Sequence, residues 1–577
     1  MHLGRTAGKR HCFALQRLAG RQTVAVPGQV DRRGLHARHR TDHSGWPARY
    51  PAACRPVGLG EGRWPVADAQ RQGAAHHPPA DPADHRARCS ARRAGYFRAL
   101  PGSAGLNTYG ETILMSTARF ADPDQIRAGF SRAMSQMYQH EVPLYGTLMG
   151  LVSEVNAQVM SRDSEVLSSL RQTGEIQRLD MERHGAIRVG TAEELATLAR
   201  LFAVMGMQPV GYYDLTEAGV PVHSTAFRAV HEQALQVSPF RVFTSLLRLE
   251  LIESDSLREF ASQVLAKRRI FTPGALALID KHETDGGLSE PDAAEFIQQA
   301  LETFRWHNTA TVSLDEYQQL NVQHRLIADV VAFRGPHINH LTPRTLDIDA
   351  VQSGMPGKGI TPKAVVEGPP RRQCPILLRQ TSFKALEEPI TFIGQGGSQS
   401  GSHSARFGEI EQRGAALTPK GRALYDRLLN EARDELSEFP NEANAVRYAE
   451  LLEKAFQAFP DNHDEMRTQG LAYFRYFPTE SGIAERASCS LEQLVEAGHV
   501  RFEPLVYEDF LPVSAAGIFQ SNLGDNAQAH YATNSNQQDF ERALGRNTLN
   551  ELELYADTQR RSLEECAKAL ELSSPAY

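Results

Sequence analysis

Cysteine and tryptophan are scarce in this chain, and long apolar runs are missing from it. Only six cysteines and three tryptophans occur among 577 residues. So few cysteines cannot form a disulfide framework, and they indicate a reducing compartment such as the cytoplasm. No run of 18 apolar residues occurs, which argues against a membrane span. The net charge of −7 also argues against a dedicated nucleic-acid binder.

Several familiar site motifs are absent as well. The chain has no phosphate loop, no G-x-G-x-x-G after a strand, no G-x-S-x-G elbow and no H-E-x-x-H. No C-x-x-C occurs, and Cys374, Cys489 and Cys566 are far apart in sequence, which argues against a structural zinc site. The chemistry must therefore come from other polar residues.

The charge is divided unevenly at Met115. Residues 1–114 carry 17 Arg and 1 Lys against 7 acidic residues, a net charge of +11, whereas the remaining residues carry −18. The first segment shows no sustained helical or strand period, and it could be a basic nucleic-acid-binding arm or a transit peptide. Its excess of Arg, Ala, Gly, Pro and His is also what GC-rich DNA gives in a wrong frame. We expect a mis-called N-terminal extension that is disordered, followed by one large catalytic domain over 115–577.

Helical and strand patterns alternate irregularly after Met115, and no internal repeat is present. We therefore predict an α+β fold in which many helices surround a mostly antiparallel sheet. Strands are predicted, among others, at residues 208–213, 241–252, 330–333, 376–380 and 405–412. A Gly/Ser-rich stretch, 394–404, is predicted to be a mobile surface loop.

Two segments place histidines where they could do chemistry. Around His184 an extended chain puts His184, Ala186 and Arg188 on one face, because side chains alternate along a strand. That pair suits a metal with an anionic ligand, although an ordinary surface pair is the alternative. His337 and His340 lie between a predicted strand and a loop, where functional groups concentrate, and the alternative is a hydrogen-bonded core histidine.

A third segment alternates carboxylates with apolar residues. Glu409 and Glu411 share one strand face with Phe407 and Arg413. A buried carboxylate needs a partner, because burying it alone costs several kcal/mol. A metal is one such partner, and an arginine is the other.

The pattern Glu409-Ile-x-Gln-Arg413 resembles the strand that supplies the metal carboxylate in 4-hydroxyphenylpyruvate dioxygenase-like enzymes of the vicinal oxygen chelate superfamily. Nearly all of 115–577 resembles a former domain-of-unknown-function family whose characterised members are 2-oxoadipate dioxygenase/decarboxylases of bacterial lysine catabolism. Five long stretches carry this resemblance: 138–146, 183–188, 222–228, 335–344 and 510–519.

The resemblance implies a vicinal-oxygen-chelate-like fold around a non-haem Fe(II) held by two histidines and one glutamate. The matching positions are His184, His340 and Glu409, with Glu409 preferred to Glu411 by the alignment of that strand alone. Arg188 then binds a substrate carboxylate, and Val513 and Ser514 are further substrate contacts.

The implied reaction converts 2-oxoadipate and O₂ to 2-hydroxyglutarate and CO₂, and the remote carboxylate of the substrate is paired with Arg188. The alternatives are a non-catalytic protein that binds a small acid, and a metal-dependent hydrolase or isomerase on the same scaffold. The sequence leaves open the metal's identity, the oligomeric state, the stereochemistry of the product and the roles of His223, His337 and His403.

Overall fold

The computed structural model describes residues 120–181, 183–394, 397–438, 440–485, 490–511 and 536–572. The predicted extension over residues 1–114 and the predicted substrate contacts Val513 and Ser514 lie outside these ranges. No helix within them is both long enough and apolar enough to cross a membrane.

The α-helices contain about half of the described residues. They are α1 Pro123–Glu141, α2 Pro143–Arg162, α3 Ser164–Gln172, α4 Glu175–Leu179, α5 Ala192–Val204, α6 Glu232–Val237, α7 Asp255–Lys267, α8 Pro273–Asp285, α9 Glu290–Leu301, α10 Leu314–Gln323, α11 Arg325–Val331, α12 Ile348–Gly354, α13 Pro419–Leu436, α14 Ala445–Phe456, α15 His463–Thr468, α16 Glu480–Glu485, α17 Leu491–Glu496, α18 Gln537–Leu544 and α19 Glu551–Ala569. Their starts follow local signals: Asp122 caps α1 ahead of a proline, and Thr191 accepts a hydrogen bond from the backbone of Glu194 to cap α5.

The strands are short and lie between groups of helices. They are β1 His184–Val189, β2 Gln208–Asp214, β3 Val222–Arg228, β4 Arg241–Leu247, β5 Thr309–Ser313, β6 Leu341–Thr342, β7 Leu378–Ser382, β8 Leu386–Gly394, β9 Gly397–Arg406, β10 Glu409–Arg413, β11 Phe474–Pro478 and β12 Val500–Pro504. The largest sheet has the order β2-β3-β4-β1-β6, in which only the β1–β4 pairing is parallel. This mixture of helices with mainly antiparallel pairings confirms the predicted α+β class.

The central sheet is buried on both faces. Ile187, Val189 and Val242 belong to one hydrophobic cluster, together with the helices α1, α2 and α5. Ala186 and Phe243, on the opposite face, belong to a second cluster. Strand β1 therefore alternates between two cores, and its even-numbered residues share the face that carries His184.

Three predicted elements differ from those of the structure. Residues 330–333 were predicted as a strand, but α11 extends to Val331, since a short apolar run does not distinguish a helix from a strand. The predicted loop over 394–404 contains most of β9, which pairs with β8; a side chain at Gly401 would meet the ring of Phe392 at 2.7 Å, so a small residue is required there. The predicted strand 405–412 is divided between the end of β9 and β10.

Candidate metal centre

Strand β1 places His184 and Arg188 on the same face, as the alternation of side chains predicts. Both side chains are buried. The two residues are four positions apart, which corresponds to roughly 13 Å along an extended strand. One face of β1 thus presents an imidazole at its start and a guanidinium near its end.

His340 reaches His184 because the chain before β6 passes very close to β1. A methyl group at Gly185 would lie 2.7 Å from Ile338 Cδ1 and 3.0 Å from the carbonyl oxygen of His340. Strand β6 then pairs antiparallel with β1, and Thr342 is opposite His184. Glycine at this position allows the close approach that brings the two imidazole rings to 5.5 Å between centroids.

Glu409 begins β10, which pairs antiparallel with β7. Its side chain is completely buried. Thr342 donates a hydrogen bond of 2.8 Å to Glu409 Oε2, and Gln380 donates one of 2.8 Å to Glu409 Oε1. Both carboxylate oxygens are therefore held in fixed positions.

His184, His340 and Glu409 converge on one point. The Nε2 atoms of His184 and His340 lie 2.9 and 3.1 Å from the same oxygen, Glu409 Oε2. One ligand atom from each of the three residues lies within 4.8 Å of the others, and no other such group of three metal-ligating side chains occurs in the described ranges. Two imidazoles and a carboxylate form the ligand set of many non-haem iron sites.

Glu411 lies on the other side of His184. Its Oε2 is 2.8 Å from His184 Nδ1 and accepts a 2.8 Å hydrogen bond from Arg413 Nη2. A carboxylate in this position orients the imidazole and fixes which nitrogen points to a metal. The sequence left Glu411 as the alternative to Glu409, and the structure gives the two residues different contacts.

The carboxylates of this cluster are held ionised. Burial would raise the pKa of Glu409, but the imidazoles of His340 and His184 hold it below its usual value. Burial would likewise raise the pKa of Glu411, but Arg413 and His184 hold it well below the ordinary range. Burial lowers the pKa of His340, so its ring stays neutral and able to coordinate.

Aromatic rings cover the two histidines. Phe407 stacks on His340 at 4.8 Å between centroids, and Phe510 contacts the ring of His184 edge-on at 4.9 Å. Such apolar surfaces limit the access of water to the centre.

Arg188 is held by an acidic residue that is distant in sequence. Its Nη1 donates a 2.6 Å hydrogen bond to Oδ2 of Asp329, a buried residue of α11. Two of the histidines with open roles, His337 and His403, lie around the same carboxylate. His223 is elsewhere: its ring packs against Phe540 at 4.7 Å.

A family profile described as 2-oxoadipate dioxygenase/decarboxylase matches residues 130–522. A 2-oxoadipate dioxygenase/decarboxylase of Pseudomonas putida is 69% identical over 459 residues, which are 79% of this chain and 99% of the relative. A protein of the same name from Escherichia coli is 56% identical over 447 residues, 77% of this chain and 98% of the relative.

The chain belongs to the 2-oxoadipate dioxygenase/decarboxylase family. This confirms the resemblance found in the sequence. The crystal structure of the Pseudomonas putida hydroxyglutarate synthase in complex with 2-oxoadipate is 67% identical in sequence, with a TM-score of 0.74 over 78% of this chain and 99% of that one. The family match includes every predicted site residue: His184, Arg188, His340, Glu409, Val513 and Ser514.

The segment before Val513 and Ser514 is anchored beside the candidate metal centre. Glu508 pairs with Arg178 and Arg241, while Asp509 makes a two-pronged pair with Arg228. These ion pairs fix the segment that carries Phe510. The substrate contacts that the sequence predicts begin three residues later.

The residues that support the site could not be identified from sequence motifs. Thr342 and Gln380 belong to neighbouring strands, and Asp329 belongs to a helix about 140 residues beyond Arg188. Thr342 is only two residues from His340, and strand alternation could have placed both on one face. Asp329 is the only charged residue in the apolar run 326–333, and this local signal could have marked it as a buried carboxylate that needs a partner.

Proposed function

We propose that this chain is an Fe(II)-dependent dioxygenase that converts 2-oxoadipate and O₂ to 2-hydroxyglutarate and CO₂. The observation that carries the proposal is the convergence of His184, His340 and Glu409 on one buried point. Membership of the family supplies the substrate class, since a relative with 67% identity has been crystallised with 2-oxoadipate. As the family resemblance implies, the reaction would belong to lysine catabolism in the cytoplasm.

The donor set fits Fe(II). Both histidines approach the same glutamate oxygen through Nε2, and the other ring nitrogen of His184 is adjacent to Glu411. Two imidazoles and one carboxylate occupy one face of an octahedral ion and leave the opposite face for other ligands. When bound, the ion would supply coordination positions for a 2-oxo acid and for O₂, and it would relay electrons from the substrate to O₂.

Arg188 gives the site its preference for a dicarboxylic acid. The reacting end of the substrate is the same in every 2-oxo acid, so selectivity has to come from the remote end. Arg188 lies on the same face of β1 as His184, and its guanidinium can bind a remote carboxylate with two hydrogen bonds. We assign Val513 and Ser514 to further contacts with the substrate, supported by the anchoring of Phe510 against His184.

Water is kept from the reacting groups by the rings of Phe407 and Phe510, which cover the two imidazoles. The carboxylate of Glu411 holds the orientation of His184. The overall conversion balances without a second organic substrate. The two oxygen atoms of O₂ and all atoms of 2-oxoadipate are accounted for in 2-hydroxyglutarate and CO₂.

The test is anaerobic reconstitution of the protein with Fe(II), followed by oxygen uptake with a panel of 2-oxo acids. We expect one CO₂ and one 2-hydroxyglutarate for each O₂ consumed with 2-oxoadipate, and no uptake by a His340→Ala control. Turnover without O₂ would indicate a metal-dependent hydrolase or isomerase. Tight binding of 2-oxoadipate without turnover would indicate a non-catalytic binding protein.

A further inference from the structure

Behind Arg188 lies a hydrogen-bonded network of three buried side chains, Asp329, His403 and Tyr317, that the reaction does not use directly. Oδ2 of Asp329 accepts from Arg188 at 2.6 Å, and Oδ1 of the same carboxylate lies 2.9 Å from His403 Nε2. The other nitrogen of that ring, His403 Nδ1, lies 2.9 Å from the hydroxyl of Tyr317. Two consecutive helices, α10 and α11, and the distant strand β9 contribute to it.

The protonation of Asp329 and Tyr317 sets the direction of the hydrogen bonds in this network. Burial would raise the pKa of Asp329, but Arg188 and the neighbouring histidines hold it below its usual value, so the carboxylate only accepts. Burial raises the pKa of Tyr317 to about 12, so its hydroxyl keeps its proton. Because the carboxylate of Asp329 only accepts, His403 donates to it through Nε2, which leaves Nδ1 to accept from the hydroxyl of Tyr317.

His337 does not take this role, although it is close. Its Nε2 lies 3.5 Å from Asp329 Oδ1 and accepts a 3.0 Å hydrogen bond from the side-chain amide of Asn339. Burial lowers the pKa of His337 to about 3, so the ring is neutral. The donor that fixes Oδ1 of Asp329 is therefore His403.

We propose that Tyr317, His403 and Asp329 are positioning residues that aim the Arg188 guanidinium at the remote carboxylate of the substrate. The inference rests on the proposed function, in which Arg188 binds that carboxylate. Because each of these side chains fixes the orientation of the next, the network holds the flexible arginine rigidly as a two-pronged donor. Its loss should weaken the selection of dicarboxylic over monocarboxylic 2-oxo acids and leave the metal in place.

His403 offers a matched pair of variants. Its ring packs among aromatic side chains, with Phe333 at 4.8 Å and Trp306 stacked at 6.3 Å between centroids. His403→Leu fills that space without a donor, whereas the amide nitrogen of His403→Gln can replace Nε2 as the donor to Asp329. The measurements are kcat and KM for 2-oxoadipate and for 2-oxohexanoate, which lacks the remote carboxylate, together with iron content.

With His403→Leu we expect kcat/KM for 2-oxoadipate to fall about ten- to hundredfold, mainly through KM, with little change for 2-oxohexanoate. His403→Gln should recover most of this loss, and both variants should keep their iron. Tyr317→Phe, which removes one hydroxyl, should change the same ratio in the same direction by about three- to tenfold. It provides the test if His403→Leu does not fold.

Equal losses with both substrates in the Leu and Gln variants would show that His403 only fills space, and would overturn the inference. An unchanged preference for 2-oxoadipate in both His403→Leu and Tyr317→Phe would also overturn it. Arg188→Ala distinguishes a failure of the positioning proposal from a failure of the proposed role of Arg188. If Arg188→Ala loses selectivity but His403→Leu does not, the positioning proposal is wrong while the role of Arg188 stands. If Arg188→Ala loses none, the role of Arg188 itself is wrong.

Discussion

Glu409 and Glu411 are two residues apart on one strand, yet they contact opposite nitrogens of His184. We expect Glu409→Ala to abolish iron binding, as His184→Ala and His340→Ala should, because each removes a ligand. Glu411→Ala should instead weaken iron binding about 10- to 100-fold, the usual effect of removing a residue that orients a ligand. Iron titration of the purified variants measures this, and full iron occupancy in Glu409→Ala would contradict the assignment.

Mutation of Arg188 tests whether the substrate is a dicarboxylic 2-oxo acid. Arg188→Ala leaves the remote carboxylate without its buried partner, a loss on the order of 2–5 kcal/mol, or roughly 30- to several-thousand-fold in kcat/KM for 2-oxoadipate. Arg188→Lys should recover little, because it restores the charge without the two-pronged geometry.

The comparison substrate for Arg188→Ala is 2-oxohexanoate, whose kcat/KM should hardly change. Iron content is the control, since Arg188 is outside the cluster of three metal-ligating side chains. A similar loss with both substrates would mean that Arg188 supports the site in general.

At the scale of elements, the segment before residue 512 depends on buried ion pairs. Arg228 on β3 binds Asp509 with hydrogen bonds of 2.6 and 2.9 Å, and both side chains are buried. Arg228→Leu leaves the carboxylate without its counter-ion and should lower the free energy of unfolding by about 3–5 kcal/mol. Urea denaturation measures the change.

The matched control for Arg228→Leu is Arg560→Leu on α19. Arg560 pairs with two acidic residues, Asp557 and Glu564, but all three side chains are exposed to solvent. The denaturation midpoint of this variant should stay nearly unchanged, because exposed ion pairs contribute little. A similar shift in both variants would show that the burial of Asp509 does not matter for stability.

The sequence could predict elements whose local signals agree with their surroundings. The alternation of His184, Ala186 and Arg188 gave the correct strand face, and Asp122 followed by a proline is a local signal for the start of α1. The family resemblance, not local pattern, singled out His340 and Glu409 from other buried polar residues.

Pairings between distant segments could not be predicted from the sequence. Glycine and serine in residues 397–404 are typical of a loop, but β8 supplies a pairing partner and the ring of Phe392 lies against Gly401. His403 lies on that strand, so its contact with Asp329 was hidden by the same error. Tertiary contacts decide such cases.

At the scale of the whole molecule, the relatives indicate which part of the chain is needed. The Pseudomonas putida relative is covered over 99% of its length by 459 residues of this chain. We expect a protein that starts at Met115 to fold and to keep full activity with 2-oxoadipate. The check is a side-by-side comparison of kcat/KM and thermal midpoint for the full-length and shortened proteins; an insoluble or inactive shortened protein would contradict the prediction.

The three candidate ligands come from positions 184, 340 and 409, and they meet only where β1, β6 and β10 have been brought together. An unfolded chain holds these side chains far apart, so a metal should bind the native state almost exclusively. Binding and folding are then thermodynamically linked, and free iron at 100 times its Kd adds about 2.7 kcal/mol to the free energy of unfolding. Removal of iron with a chelator should therefore lower the melting temperature in calorimetry, and the enzyme would be most vulnerable to proteolysis in iron-starved cells.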